Sequence, residues 1–365
     1  PKQYIGFKLC KKEARPMSAD TGIKDIEQLV KANKFQFAAK KGKRDFVDVK
    51  RDWIEHIAGF ASVDGGELLD HDLVQALLPR CTFPAPGNAL RCGWSGGPDS
   101  TALVVMALAA GLEVDAVHVE HGLRPGNDDR ARLDEMSDRL GCQVHTVIVQ
   151  VGVGSNLEAR ARNARLGVLG PNAATGHTAD DRAEGVVLAM LRGAGPWGLA
   201  GMIRGVGKPL LDLRRAETVE LCAALGLRTV DDPTNAAPKH LRNRVRREVL
   251  PLLGELNERD PVPQLVRLAD HQRELANLLD EQSAGVDPTG GGGLIAVERP
   301  VAVAAIRRWW RIETGEIHPP DHRALARILE VADPRGPARA DVANGWRVAR
   351  TAGRLRLERD PGRLP

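Results

Sequence analysis

Apolar and polar positions along this chain change period several times, and each change predicts an element. Residues 90–94, 114–119 and 144–151 are short apolar or alternating runs of strand length. Residues 101–110 are apolar without a breaker until Gly111, which predicts a helix ended by glycine. Residues 128–140 predict a charged helix closed by Gly141, and 157–169, 180–191 and 217–225 predict three more, the last stopped by Gly226. Strands alternating with helices predict an α/β fold: a parallel sheet with helices on both faces, spanning residues 67–255. Ligands of such sheets bind at the carboxyl ends of the strands.

Beyond it, apolar residues at 265, 268, 275, 278 and 279 predict one long amphipathic helix, within a linking segment 256–289. Residues 283–293 hold four consecutive glycines from Gly290 and predict a glycine-rich linker. Residues 290–365 predict a small α+β domain, with a helix carrying Ile306, Trp309 and Trp310, a helix near 324–331 and strands near 346–350 and 355–357. Residues 1–66 predict a short helix at 23–32 and strands around Phe35, Phe37, Phe46 and Val49, flanking a basic turn at 40–44. No internal repeat is visible.

Composition sets the first block apart. Residues 1–60 hold 14 basic and 8 acidic residues, and 11 of the 14 are lysine. The rest of the chain is slightly acidic and has only Lys208 and Lys239, its other basic residues being arginine. A shift this sharp points to a segment of separate origin. Its basic turn with aromatics is either an RNA contact or a solvated hairpin. No apolar run approaches the roughly 20 residues that span a bilayer, and residues 1–16 lack the apolar core of a signal peptide. The expectation is a cytoplasmic protein. The five cysteines are scattered and form no CxxC, which argues against a disulfide framework or a cysteine-held metal.

The densest chemical signal is Ser95-Gly96-Gly97-Pro98-Asp99-Ser100, between a strand and a helix. A glycine loop opening a helix gathers backbone N–H groups and a helix dipole at one point, which suits phosphate. Pro98 falls where a first-turn proline does no harm. No lysine follows, so this is not a Walker loop. The hexapeptide resembles the PP-loop of the ATP-pyrophosphatases, enzymes that cleave ATP between its α and β phosphates. That resemblance implies that Ser95, Gly96, Gly97 and Ser100 cradle the departing pyrophosphate, that Pro98 belongs to the same ATP-binding loop and that Asp99 helps hold a Mg²⁺ ion.

Further motifs follow in order. His118-Val-Glu-His-Gly-Leu-Arg-Pro125 trails the second strand, and Asn156-Leu-Glu-Ala-Arg-Ala-Arg162-Asn-Ala-Arg165 the third. Then come Thr175-Gly-His177-Thr-Ala-Asp-Asp181-Arg-Ala-Glu184, Pro209-Leu-Leu-Asp-Leu-Arg214, Asp232-Pro-Thr-Asn235 and Arg242-Asn243-Arg244-Val-Arg246-Arg247. Together these resemble the tRNA(Ile)-lysidine synthetases over about residues 67–285. The resemblance implies a ligase that adenylates the wobble cytidine of a CAU anticodon with ATP and then joins free L-lysine to it. It leaves the oligomeric state open, a homodimer included. Other PP-loop enzymes, such as tRNA thiolases, and a non-catalytic RNA-binding protein on the same scaffold are the alternatives.

The residues suit those roles. Asp181 and Glu184 lie three apart on a helix and share a face, so together they can bind an ammonium group, and one can take its proton. A solvated acidic helix start explains the same pattern. His177 is a candidate nucleotide contact or a capping residue. Arg162 is a candidate for stabilising the adenylate. Arg165, Arg242, Asn243 and Arg246 are candidate tRNA contacts, or surface charges. Three positions depart from the family's pattern: Leu166, Arg182 and Gly185. Glycine inside a helix costs about 1 kcal/mol relative to alanine.

Overall fold

The computed structural model describes residues 8–9, 35–36, 65–120, 127–149, 157–230, 241–316 and 318–359. The expected helix at 23–32, the basic turn at 40–44, the strand at 46–49 and the motifs at 121–125 and 232–235 fall outside them. In the first block Phe35–Gln36 pairs antiparallel with Lys8–Leu9. The chain divides into two units: residues up to Glu184 with Met202–Pro263, and Gly185–Gly201 with Gln264–Pro365.

The first unit is built on four parallel strands. In chain order its main elements are β1 (Ala89–Gly93), α1 (Pro98–Ala109), β2 (Glu113–Glu120), α2 (Asn127–Leu140), β3 (Val144–Ile148), α3 (Leu157–Leu169), β4 (Ala174–Thr175), the first half of α4 (Ala179–Leu191) and α5 (Arg215–Ala224). The spatial order is β3-β2-β1-β4, all parallel. The chain moves outward from β1 to β3 and then jumps back to the other side of β1. Right-handed crossovers therefore place α1 and α2 on one face of the sheet and α3 on the other. The reversal opens a crevice between the carboxyl ends of β1 and β4, where such sheets bind ligands. The register sets Gly93 opposite Thr175, so the PP-loop and the loop after β4 leave the sheet side by side.

β1 is central although Arg91 interrupts its apolar pattern. Arg91 points outward and pairs with Asp115 of β2 at 2.7 Å. α1 is buried nearly all round, from Ser100 through Met106, which explains why its sequence has no polar face. Trp94 and Thr101 join β1 to α1, the indole N–H donating to the hydroxyl oxygen at 3.0 Å in the core. After α5 a short helix, α6 (Leu241–Arg244), runs through a π-helical turn at Val245–Val249 into α7 (Leu250–Asn257).

The second unit contains most of α8 (Pro261–Gln282), then α9 (Gly291–Ala296), α10 (Arg299–Thr314) and α11 (His322–Ala332). An antiparallel sheet of β5 (Arg339–Asp341), β6 (Trp346–Thr351) and β7 (Arg354–Arg359) completes it. Its core gathers Leu294, Ile306, Trp309, Trp310, Ile328 and Val348. Trp310 meets Trp346 edge to face, ring centres 6.2 Å apart.

The expected glycine-rich linker is packed, and its last three residues are helical. Ser283 is buried, and Arg308 donates to the carbonyls of Ser283 and Val286 at 3.0 and 3.1 Å. Gly290 to Gly293 open α9 instead of hanging free. A Cβ on Gly291 would lie 2.7 Å from the carbonyl oxygen of Ala332. That glycine serves close packing, not flexibility.

Candidate functional site

The PP-loop leaves β1 at Ser95 and enters α1 at Pro98. Gly96 has φ +85°, a conformation that β-carbon residues rarely adopt, and Gly97 caps the helix with extended backbone. The loop is tied to itself through Ser100. Its hydroxyl donates to the Gly97 carbonyl at 3.0 Å, accepts from the Ser95 N–H at 3.1 Å and lies 3.0 Å from the Ser95 hydroxyl. A Cβ on Gly176 would lie 2.6 Å from the Asp99 carbonyl carbon and 2.8 Å from the Ser100 nitrogen. The loop after β4 therefore touches the backbone of the first turn of α1.

Beyond Gly176, the His177 ring Nδ1 is 2.9 Å from the Thr175 hydroxyl and 3.4 Å from the Lys208 ammonium. α4 then begins, and its adjacent aspartates diverge. Asp180 turns to α5, accepting from both Nε and Nη2 of Arg214 at 3.0 Å and from the Arg215 N–H at 2.8 Å. Asp181 caps the start of its own helix, accepting from the Thr178 N–H at 2.9 Å, and turns its other oxygen to Arg215 and Arg242, each at 3.0 Å.

Glu184, one turn on, has a side chain with no exposed surface. It accepts from Arg215 at 3.1 Å, Arg242 at 2.7 Å and Arg246 at 2.6 Å. Such a carboxylate is stable only because charged donors surround it. Asp99 completes the group. One oxygen lies 2.5 Å from the Thr218 hydroxyl, and the other accepts from Arg215 Nε at 3.2 Å. Three carboxylates thus meet three guanidinium groups in one network. A cavity of about 240 Å³, lined among others by Asp180, Glu184, Arg214, Arg215, Arg246 and Asp260, opens beside it.

The carboxylates differ electrostatically. Burial pushes the Asp99 carboxyl above its ordinary range; Thr218 and Arg215 oppose this, and nearby Asp181 adds to it. Burial also acts on Asp181, but Arg215 and Arg242 outweigh it and hold that carboxyl below the usual range. Burial pushes the thiols of Cys92 and Cys222 up to about 12 and that of Cys142 up to about 11, which leaves them unreactive.

The structure brings Asp99, Asp181, Glu184, Arg242 and Arg246 together. Arg242 and Arg246, four apart, turn one face inward to the carboxylates. Arg244 and Arg247 are exposed, Arg244 pairing with Glu248 at 2.8 Å. Asn243 and Arg165 are half-buried, Arg165 on α3. Arg162 also lies on α3, its side chain outside the described residues. Arg182 is buried, and Leu166 is exposed. A Cβ on Gly185 would meet nothing within 4 Å, so no packing demands glycine there.

Sequence reasoning missed Arg215, Thr218 and Lys208. The first two belong to one helical turn, and the signal was the doubled arginine after Pro209-Leu-Leu.

The strand, glycine loop and helix at the reversal point of the parallel sheet are those of a nucleotide-binding α/β protein, and residues 71–253 match the family model of the PP-loop domain, which makes this a PP-loop protein. The chain belongs to the tRNA(Ile)-lysidine synthase family. It is 37% identical to the tRNA(Ile)-lysidine synthase of Nocardia farcinica over 298 residues, covering 76% of this chain and 94% of the relative. To the synthase of Salinispora tropica it is 38% identical over 311 residues, covering 77% and 93%. Among solved structures, the U34-tRNA thiolase NcsA from Methanococcus maripaludis aligns at 19% identity with a TM-score of 0.44, covering 57% of this chain and 79% of that one. No helix among the described residues is long and apolar enough to cross a membrane.

Proposed function

We propose that this chain is the ligase that converts the wobble cytidine of a CAU-anticodon tRNA(Ile) to lysidine. The observation that carries this reading is the single network joining the PP-loop carboxylate Asp99 to the buried pair Asp181 and Glu184.

In the first step the C2 oxygen of cytidine attacks the α-phosphorus of ATP, and the bond to the β-phosphate oxygen breaks. Ser95, Gly96, Gly97 and Ser100 hold the departing pyrophosphate through the loop and the helix terminus that Pro98 opens. His177 contacts the nucleotide. Asp99, whose two oxygens accept from Thr218 and Arg215, would hold a hydrated Mg²⁺ through a remaining lone pair, since that ion commonly needs only one or two carboxylates beside water and phosphate. When bound, such an ion neutralises phosphate charge. Arg162 stabilises the adenylated base.

In the second step Asp181 and Glu184 hold the ε-ammonium of lysine, and one of them takes its proton. The freed amine attacks C2, and AMP leaves with the C2 oxygen. Arg165 and Asn243 meet the tRNA, whereas Arg242 and Arg246, expected as tRNA contacts, are turned inward and hold the carboxylate pair. We assign the chemistry to residues 67–255 and tRNA recognition to 290–365, joined through 256–289, with 1–66 dispensable for catalysis.

The test is mass analysis of nucleosides from a CAU-anticodon tRNA incubated with protein, ATP and lysine. Lysidine that forms only when both ATP and lysine are present supports the reading. Unmodified cytidine, or a thiolated base on addition of a sulfur donor, overturns it.

A further inference from the structure

Arg215 reaches all three carboxylates of the site. Its three guanidinium nitrogens go to three different carboxylates: Nε to Asp99 at 3.2 Å, Nη1 to Glu184 at 3.1 Å and Nη2 to Asp181 at 3.0 Å. The root of the residue is fixed as well, because its backbone N–H donates to Asp180 at 2.8 Å. Asp180 is itself clamped by Arg214, which also reaches Asp260. Arg215 is the first residue of α5, and the Asp180 carboxylate therefore sits at a helix N-terminus.

Among the described residues, Arg242 and Arg246 bind the pair Asp181 and Glu184, whereas Arg215 binds that pair and Asp99 together. Thr218, three residues further along α5, supplies the other contact to Asp99. The first turn of α5 thus carries both groups that hold the PP-loop carboxylate. Only arginine offers donors that diverge in a plane from a rigid centre; the lysine ammonium is a compact point charge.

We propose that Arg215 is a positioning residue that sets the spacing between the two ends of the site, the ATP end at Asp99 and the lysine end at Asp181 and Glu184. The proposal rests on the lysidine reading above. An amine held by the pair attacks well only if the adenylated base is presented at a fixed distance from it. A guanidinium bonded to both ends holds that distance.

The experiment uses the full chain with ATP and a CAU-anticodon tRNA, and two readouts. One is pyrophosphate release without lysine; the other is lysidine formation with lysine titrated. Arg215→Ala is expected to lower kcat of both steps by about 100-fold or more, with the KM of ATP and of lysine moving less than about tenfold. Methylguanidinium added to Arg215→Ala is expected to restore at least about tenfold of the lost rate and to leave the wild type unchanged.

A merely structural arginine would lower the melting temperature and give no such rescue, and that result overturns the proposal. So does a normal first step with only the lysine KM raised, which would confine Arg215 to the lysine end. If Arg215→Ala does not fold, Arg215→Lys decides. A kcat at least about tenfold lower with both KM values nearly unchanged supports the proposal, and wild-type rates or a change in KM alone overturn it. The wild type separates this outcome from the parent reading. Pyrophosphate without lysidine overturns the lysidine assignment while Arg215 is still scored on the first step. No pyrophosphate at all overturns both.

Discussion

Both units have an apolar core, and among the described residues the first also buries a charged network. In the first, the ground between PP-loop, α4 and α5 is charged: Glu184 is wholly buried, Asp181 nearly so, and guanidinium groups close around them. In the second, the comparable space is taken by Trp310, Trp309, Ile306 and Ile328. Apolar packing is non-directional and tolerates substitutions that conserve volume. A buried ion network is the opposite. Each partner left alone is a buried charge, so removing one member damages the rest. The contrast separates a region shaped for chemistry from one shaped for stability.

The sharpest break in that contrast is Asp99→Ala. It should lower ATP-dependent adenylation by about a thousandfold or more, since it removes the only carboxylate in the phosphate loop. Binding of tRNA, followed by filter retention at fixed salt, should stay within a few-fold of wild type. Unchanged adenylation would take the PP-loop out of the reaction.

Trp310→Ala tests the apolar side. Truncating a fully buried tryptophan should destabilise the second unit by about 3–5 kcal/mol, read as a shift in urea midpoint. A loss under about 1 kcal/mol would show that this cluster is not a core.

Asp181→Asn asks whether the charged side serves lysine. A charge-assisted hydrogen bond contributes about 1.5–3 kcal/mol, so the lysine KM should rise about 10- to 100-fold while the ATP KM moves only a few-fold. A rise in the ATP KM instead would reassign the residue to the nucleotide.

How much of this was legible beforehand follows from distance along the chain. The PP-loop is local: six adjacent residues carry the turn, the cap and the carboxylate. Asp181 and Glu184 share a face because helices repeat every 3.6 residues. The Arg215 hub was not legible, because it joins Asp99, 116 residues away, to Asp181 and Glu184, which are 34 and 31 away. No local period encodes such a meeting. The arginines at 242 and 246 were legible as charge but not as to partner, since charge density says nothing of which face turns inward. The glycines at 290–293 were legible as a cluster but not as a packing site, because sequence does not separate a glycine that flexes from one that lets two backbones touch.

Smaller effects refine the comparison. Burial pushes Asp180 upward, but Arg214 and the N–H of Arg215 outweigh it and hold its carboxyl below the usual range. A carboxylate depressed on folding stabilises the protein above its unfolded pKa of about 3.9, and the gain is lost as pH falls through the folded value. Asp180→Asn should therefore cost about 1 kcal/mol at pH 7, discounted for partial exposure, and progressively less below about pH 4. Urea melts at pH 7 and pH 3 measure this; an equal cost at both would show that charge is not the cause.

The smallest effect belongs to the second unit. Ala352 has φ +49° and Gly353 φ +75° in the two-residue turn between β6 and β7. Ala352→Gly should relieve the left-handed strain and stabilise by up to about 1 kcal/mol, visible as a small rise in Tm. A fall in Tm would place the entropy of the unfolded chain above that strain.

Gly176 has a consequence for anyone who would move this active site elsewhere. A methyl group there would run into the backbone of Asp99 and Ser100, so the wall after β4 and the floor of the PP-loop are cast as one piece. A transplant of residues 95–100 into a foreign scaffold would carry the hexapeptide without its mould. The host would have to supply a bare backbone at the same distance on the neighbouring strand, or the grafted loop would relax away from the shape that grips phosphate. The portable module is the pair of adjoining strand ends, not the motif.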